Sequence, residues 1–427
     1  MHYFKYRNGA LCAESVRLSD IAAKVGTPFY CYSTETLKRH YEVFAHAMDG
    51  LENLICFSAK ANGNIAVLRT LADLGAGCDV VSGGELGRAL TADIPPEKIV
   101  FSGVGKSAEE LRFALSSDIV QINVESEAEL HRLNSIALSL DKTAPVAFRV
   151  NPDVHAKTHD KISTGRKEDK FGVAYDDAPG LYKLASTMSG IDIRGVAVHI
   201  GSQITDLKPF EVAFTKVANL VQGLRASDIA IKTIDLGGGL GVPYRSDNEL
   251  TPSPADYGDV ARRTVGNLGC KIIFEPGRVI AANAGVLVSK VEYIKHGETR
   301  TFAIIDAAMN DLIRPSMYDA HHDILSLKEN TAVSDVKAYD IVGPICETGD
   351  RFAQEVQLPS MGEGDLIAIM SAGAYGAVMA SNYNTRPLIP EVMVNADSYA
   401  IVRKRLPVET LWALETMPEW LDSDLDD

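Results

Sequence analysis

The chain has 427 residues, with 42 Lys and Arg against 57 Asp and Glu, a net charge of −15. Binding a polyanion needs clustered positive charge, and the longest basic run is Arg403-Lys404-Arg405, which argues against a nucleic-acid partner. At 46% hydrophobic and 23% charged residues, the composition is that of an ordinary soluble protein of about two or three domains.

The first residues, Met1 to Tyr6, lack the apolar core of a signal peptide, and the apolar run Leu366 to Ala380, rich in Gly and Ala, is shorter than the ~18 residues a span requires. The expectation is a cytoplasmic protein without a membrane segment. Cys12, Cys31, Cys56, Cys78, Cys270 and Cys346 show neither C-x-x-C spacing nor a histidine at zinc-finger distance. They read as reduced thiols, five of them buried small hydrophobes in apolar surroundings, with Cys346 the exception. No metal site is expected: His321, His322 and Asp323 are adjacent, point to different sides of the chain and read as solvated loop residues.

In chain order, residues 4–6 and 10–12 flank Arg7-Asn8-Gly9, and Asn-Gly suits a type I′ hairpin. A short helix follows, with Ser19 as its cap, Ile21, Ala22 and Val25 as its apolar face, and Gly26 before Pro28 as its end. From residue 54 short apolar runs alternate with amphipathic stretches, the pattern of parallel βα units. The runs are 54–58, 78–81, 98–102, 119–124, 146–150, 194–200, 231–236 and 271–275; the main helix candidates are 64–74, 83–92, 107–117, 126–140, 209–225 and 255–268. Eight such units fit a (β/α)8 TIM-type barrel, with a doubly wound open sheet as the alternative.

After Arg278 the pattern changes to strands without long helices, at 286–293, 301–305, 336–342, 366–370 and 398–402. The predicted organisation is α/β plus all-β. The barrel occupies 26–280, and a C-terminal β domain, 281–427, carries Cys346. The N-terminal hairpin and helix, 1–25, join that domain, making it a discontinuous β-sandwich or barrel. The acidic end, 421–427, reads as a frayed solvated tail.

A barrel of this kind builds its site where the strands end. After the first, sixth, seventh and eighth runs come Ala59-Lys60-Ala61-Asn62, His199-Ile200-Gly201-Ser202-Gln203, Gly237-Gly238-Gly239-Leu240-Gly241 and Glu275-Pro276-Gly277-Arg278. The glycines let backbone N–H groups approach an anion, though a tight strand-to-helix turn would also use them, and the spacing fits neither G-x-G-x-x-G nor a P-loop. Lys60 at an apolar strand end would be desolvated, with a lowered pKa and a nucleophilic amine; a solvated surface lysine is the alternative. Glu275 in a core strand calls for a partner, either a protonated heterocyclic nitrogen or a cation such as Arg149. Together these describe a pyridoxal phosphate pocket: covalent attachment at Lys60, phosphate on Gly238, Gly239 and Gly277, ring nitrogen on Glu275, ring face against His199.

With Cys78-Asp79-Val80-Val81-Ser82-Gly83-Gly84-Glu85, Asp235-Leu236-Gly237, Asn310-Asp311-Leu312-Ile313-Arg314-Pro315, Cys346-Glu347-Thr348-Gly349-Asp350 and Gly373-Ala374-Tyr375-Gly376 in the same order, the chain resembles the diaminopimelate decarboxylase branch of the fold-type III pyridoxal phosphate decarboxylases, the alanine-racemase-like barrel group. The resemblance implies that Lys60 holds the cofactor and His199 stacks on it, with Asp79, Ser202, Gly238, Gly239 and the Glu275-Pro276-Gly277-Arg278 segment around it. It implies that Arg278, Arg314, Tyr318, Glu347 and Tyr375 contact substrate, Tyr375 also touching the cofactor. Cys346 would protonate the product carbon in the active site of the partner chain of a head-to-tail homodimer, with Glu347 beside it.

The implied reaction is decarboxylation of meso-2,6-diaminopimelate to L-lysine and carbon dioxide, the last step of lysine biosynthesis. Glu347 suits a distal ammonium and Arg314 a distal carboxylate, whereas ornithine-type relatives carry Cys-Asp at this point. The Cys-Glu-Thr here departs from the commoner Cys-Glu-Ser by one methyl group. The alternatives are a decarboxylase of ornithine, arginine or carboxynorspermidine, a racemase on the same barrel, and a catalytically silent regulatory homologue.

Overall fold

Short runs rich in Val, Ile and Phe, buried on both faces, satisfy their backbone only by pairing side by side, which is why a parallel sheet covered by helices suits them. In the computed structural model, which describes residues 2–155, 164–165, 169–245, 251–329 and 336–421, eight such strands do so. They are Asn53–Ser58, Gly77–Val80, Ile99–Phe101, Gln121–Val124, Ala144–Asn151, Ile191–Ala197, Thr233–Asp235 and Lys271–Phe274. The sheet closes, since the eighth strand pairs with the first (Phe274 with Ile55) and the fourth with the fifth (Val124 with Phe148), so the open doubly wound alternative is excluded. A two-residue strand, Val173–Ala174, adds to the edge of the fifth.

The described residues divide into two compact units: His2 and Tyr3 with Ser33–Gly285 and Ser371–Val378, and Phe4–Tyr32 with Val286–Met370 and Met379–Leu421. In the first, serine side chains begin the helices that follow the strands: Ser82 accepts from Glu85 N, Ser126 from Glu129 N, and Ser107 and Ser253 complete capping boxes with Glu110 and Asp256. Helix Thr34–Ala47, capped by Ser33, packs Phe44 edge-on to Phe274 at 6.0 Å, and Tyr257 meets Phe210 at 5.0 Å in the same aromatic cluster.

The second unit is built on a mixed sheet running in space through Arg351–Pro359, Val336–Val342, Thr301–Ile305, Gly285–His296, Phe29–Ser33, Glu391–Asn395 and Ser398–Arg403. Asn8 and Gly9 have φ of 49° and 78°, the two positive values of a type I′ turn, and the hairpin they make donates Leu11 N to Leu327 O at 2.8 Å. Phe4, Leu11 and Leu18 share one core with Val286, Ala368 and Val392.

Several expectations are corrected. The first helix, Leu18–Val25, starts directly after a strand pairing at Arg17, so Arg17 occupies the cap position without a side-chain bond, and Ser19 lies inside the first turn. Strand Phe29–Ser33 places residues 26–32 with the β unit, and Ser371–Val378 returns to the barrel unit, so neither boundary drawn at 26 or 281 describes the division. His322 is buried, at 1% exposure, where a solvated loop residue was expected. The acidic tail beyond Leu421 lies outside the described residues. Cys346 is exposed and the other five cysteines are buried. Among the described residues no group of His, Cys, Asp and Glu could hold a metal, and no helix is long and apolar enough to cross a membrane.

Candidate active site

The first strand delivers Lys60 two residues beyond its end, and the pairing of Ser58 with Asp79 across the first and second strands puts a carboxylate beside it. Lys60 Nζ donates to Asp79 Oδ2 at 2.6 Å, and Ser58 Oγ donates to the same oxygen at 2.6 Å. Asp79 is fully buried, and its other oxygen, Oδ1, has no hydrogen-bond partner. Burial alone would lower the lysine pKa, but the charges of Asp79, Glu275 and Tyr375 outweigh it and push the ammonium above its ordinary range. The expected lowered pKa is therefore corrected: in this pocket the resting amine is protonated.

The seventh and eighth strands end in Asp235 and, one residue further, Glu275. Both carboxyls are buried and hydrogen-bonded to each other. Burial raises Asp235 to about 6, and burial together with the Asp235 charge raises Glu275 as well. Asp235 accepts from Asn123 Nδ2 at 2.8 Å and from Gly237 N at 2.9 Å, while Ser102 Oγ lies 3.3 Å from Glu275 Oε1. Arg149, the protein cation weighed for Glu275, instead pairs with Glu125 at 3.3 Å. Two carboxyls that cannot both ionise cheaply leave a proton available opposite any ring nitrogen placed there.

Gly238 N donates to His199 Nδ1 at 3.2 Å, so the neutral ring carries its proton on Nε2. Burial and the charges of Arg149 and Lys60 hold His199 well below the usual histidine range, which keeps it a neutral, flat surface. The glycine loop is pressed against the eighth strand's exit: a Cβ on Gly238 would stand 2.2 Å from Glu275 O, and Gly239 has φ +112°. Arg278 is buried, donates Nη1 to the Tyr244 hydroxyl and Nη2 to Ser202 Oγ at 3.2 Å, and stacks 4.7 Å from the Tyr375 ring.

Lys60, His199, Ser202, Gly238, Glu275, Pro276, Gly277, Arg278 and Tyr375 line one concavity. A neighbouring cavity of about 420 Å³ opens beside Lys60, His199, Arg149, Asp235 and Glu275. Sequence reasoning missed Asp235, Asn123 and Tyr244 as members of this site. Asp235 stood inside the Asp-Leu-Gly-Gly-Gly motif, whereas Asn123 and Tyr244 have no local signal.

Arg314, Tyr318, Cys346 and Glu347 belong to the second unit. Arg314 opens helix Arg314–Tyr318; it is buried, and its Nη1 meets His322 Nε2 at 2.7 Å, so the surface ion pair considered for it is not the arrangement found. Cys346 and Glu347 are exposed on a turn pinned by Asp350, whose carboxylate accepts from Met309 N and Ile345 N, each at 2.7 Å. Tyr383 donates its hydroxyl to Glu347.

The barrel site has the parts pyridoxal phosphate needs: an amine for covalent attachment, a glycine loop with no room for side chains, and a carboxyl pair for the ring nitrogen. This defines a barrel-type pyridoxal phosphate enzyme. Residues 34–282 match the family described as "Pyridoxal-dependent decarboxylase, pyridoxal binding domain". Over 98% of this chain and 99% of the relative, the sequence is 50% identical to the diaminopimelate decarboxylase of Zymomonas mobilis, and over 98% and 100% it is 50% identical to that of Vibrio cholerae. The crystal structure of Helicobacter pylori diaminopimelate decarboxylase complexed with L-lysine, 42% identical, superposes with a TM-score of 0.89, covering 93% of this chain and 98% of that one. The chain belongs to the diaminopimelate decarboxylase family.

Proposed function

We propose that the chain is a carboxy-lyase that converts meso-2,6-diaminopimelate to L-lysine and carbon dioxide, the last step of lysine biosynthesis. The observation that carries this is the Lys60 amine on Asp79 within the field of Glu275, at the foot of the glycine loop. Bound pyridoxal phosphate supplies an electron sink for the pair left on the substrate carbon when the carboxylate departs. Lys60 holds it covalently, Glu275 with Asp235 keeps the proton at the ring nitrogen, and His199 offers its neutral face to the ring. The glycine loop at Gly238 and Gly239, with Ser202 and Gly277, receives the phosphate. Arg278 and Tyr375 close the wall on the substrate side.

Two residues, Cys346 and Glu347, act in the active site of the partner chain of a homodimer. Cys346 gives a proton to the substrate carbon, so that the C–CO2 bond is replaced by C–H. Its exposure on a turn fixed by Asp350 supports a role toward another chain. Glu347 receives the distal ammonium; Arg314 receives the distal carboxylate, and Tyr318 also contacts substrate. The enzyme works in the cytoplasm.

The test is carbon dioxide release by purified protein with added pyridoxal phosphate, offered meso-diaminopimelate, ornithine, arginine and lysine separately, with Lys60→Ala as control. Release from diaminopimelate alone, abolished in the control, is expected. Release from ornithine or arginine instead would overturn the substrate assignment, and no release at all would overturn the activity.

A further inference from the structure

Tyr257 has a ring locked by packing and a hydroxyl that packing does not explain. It lies in the first turn of helix Pro254–Val265, which is pressed against the end of helix Thr34–Ala47: a Cβ on the next residue, Gly258, would stand 2.2 Å from Ala47 O. The ring meets Phe210, Phe214 and Phe274 edge-on at 5.0, 5.9 and 6.0 Å and lies tilted to Phe44 at 6.2 Å. A phenylalanine would fill this place equally well. Tyr257 is 1% exposed, and among the described residues its hydroxyl has no hydrogen-bond partner, a costly arrangement for a buried donor.

The same tyrosine lines the concavity formed by Ser202, Gly237, Gly238 and Gly239. Burial above all, then the charges of Asp235 and Glu275, raise the phenol above its ordinary range, so it stays protonated and can only give a hydrogen bond, not a proton. A phosphate group supplies several strong acceptor oxygens. We propose that the Tyr257 hydroxyl is a further cofactor-binding group, donating to the phosphate from the helix that follows the glycine loop. This rests on the reading of the glycine loop as the phosphate site.

Tyr257→Phe removes the hydroxyl and keeps the ring among its four neighbours. The comparison is between pyridoxal phosphate and pyridoxal, the same aldehyde without the phosphate, each titrated into the cofactor-free full-length chain and followed by visible absorbance. The variant is expected to lose about tenfold or more in affinity for pyridoxal phosphate and less than about twofold for pyridoxal. Inorganic phosphate, by binding the folded state, is expected to raise the melting temperature of the variant less than that of the parent. Without any ligand the variant should melt no lower than the parent, because the hydroxyl it lacks has no partner inside the protein. Equal loss for both aldehydes would make the hydroxyl structural, no loss for either would leave it to a buried water, and a lower melting temperature without ligand would give it a partner in the protein; each overturns the contact. Gly238→Ala is the reference. If that variant does not lose pyridoxal phosphate in preference to pyridoxal, the phosphate reading of the loop falls, and this inference with it.

Discussion

Lys60 Nζ and Asp79 Oδ2 stand 2.6 Å apart, and the carboxylate keeps a proton on the amine that the reaction needs without one. Only a neutral amine attacks a carbonyl, so capture of the cofactor should be limited by the small deprotonated fraction. In cofactor-free protein the rate of covalent capture of added pyridoxal phosphate, followed by visible absorbance, is expected to rise about tenfold per unit between about pH 7 and about pH 9. Asp79→Asn, which removes one of the charges holding the proton, is expected to speed capture at pH 7. A rate independent of pH in the parent protein would contradict this.

The glycine loop yields a steric prediction. A methyl at Gly238 meets main chain, the Glu275 carbonyl at 2.2 Å, so the loop or the strand exit has to move. Gly238→Ala is expected to weaken cofactor affinity by at least about tenfold in an absorbance titration. Gly87, inside helix Gly83–Thr91, has nothing within 4 Å of an added Cβ. Gly87→Ala is expected to leave the affinity alone and to stabilise the helix by about 0.5–1 kcal/mol.

Asp311 is buried, and burial raises its pKa from 3.8 to about 6. The folded state therefore holds this proton more tightly than the unfolded state, and the group's contribution to stability falls as pH climbs from about 4 to about 6, staying low above. Thermal melts of Asp311→Asn and the parent protein should diverge accordingly. Whatever the amide loses at Ala308 N, the variant gains relative to the parent between about pH 4 and about pH 7, by an amount on the order of 2 kcal/mol or a few degrees. A difference constant across that range would show that the buried carboxyl is ionised throughout.

If Cys346 serves the site of the partner chain, a Lys60→Ala chain and a Cys346→Ala chain each lack what the other has. After subunit exchange of equal amounts, about half the dimers are hybrids with one intact site each, so about a quarter of the parent activity should return. Absence of recovery, with exchange verified by mass, would place Cys346 and Lys60 of one site on the same chain.

What sequence could show followed from periodicity. All eight barrel strands were legible within about three residues at either end, because buried parallel strands are uninterrupted apolar runs. Strand Arg351–Pro359 was not, since it alternates buried Phe352 and Leu358 with exposed charged and polar positions and carries Gln354, Glu355 and Gln357. Strand Phe29–Ser33 was missed because five residues between a Pro and a helix carry little signal.

The site was legible as residue types but not as electrostatics. That Asp79 outweighs desolvation at Lys60 depends on a register between two strands, and that His322 is buried against Arg314 depends on a strand end 48 residues away. Neither relationship leaves a mark on the local sequence.

The return of Ser371–Val378 to the barrel unit bears on how the protein is made. Asn62 Nδ2 donates to Gly373 O at 3.0 Å, Tyr375 N to Ala61 O at 2.8 Å, and Ala372 N to Gly285 O at 2.8 Å. The loop that carries Lys60 thus waits for residues translated some three hundred positions later. At a synthesis rate of about 5–20 residues per second, that loop spends tens of seconds on the ribosome before Lys60 has its final neighbours. A fragment ending at Gly285 would hold all eight strands and still lack Tyr375 from the lining of the pocket.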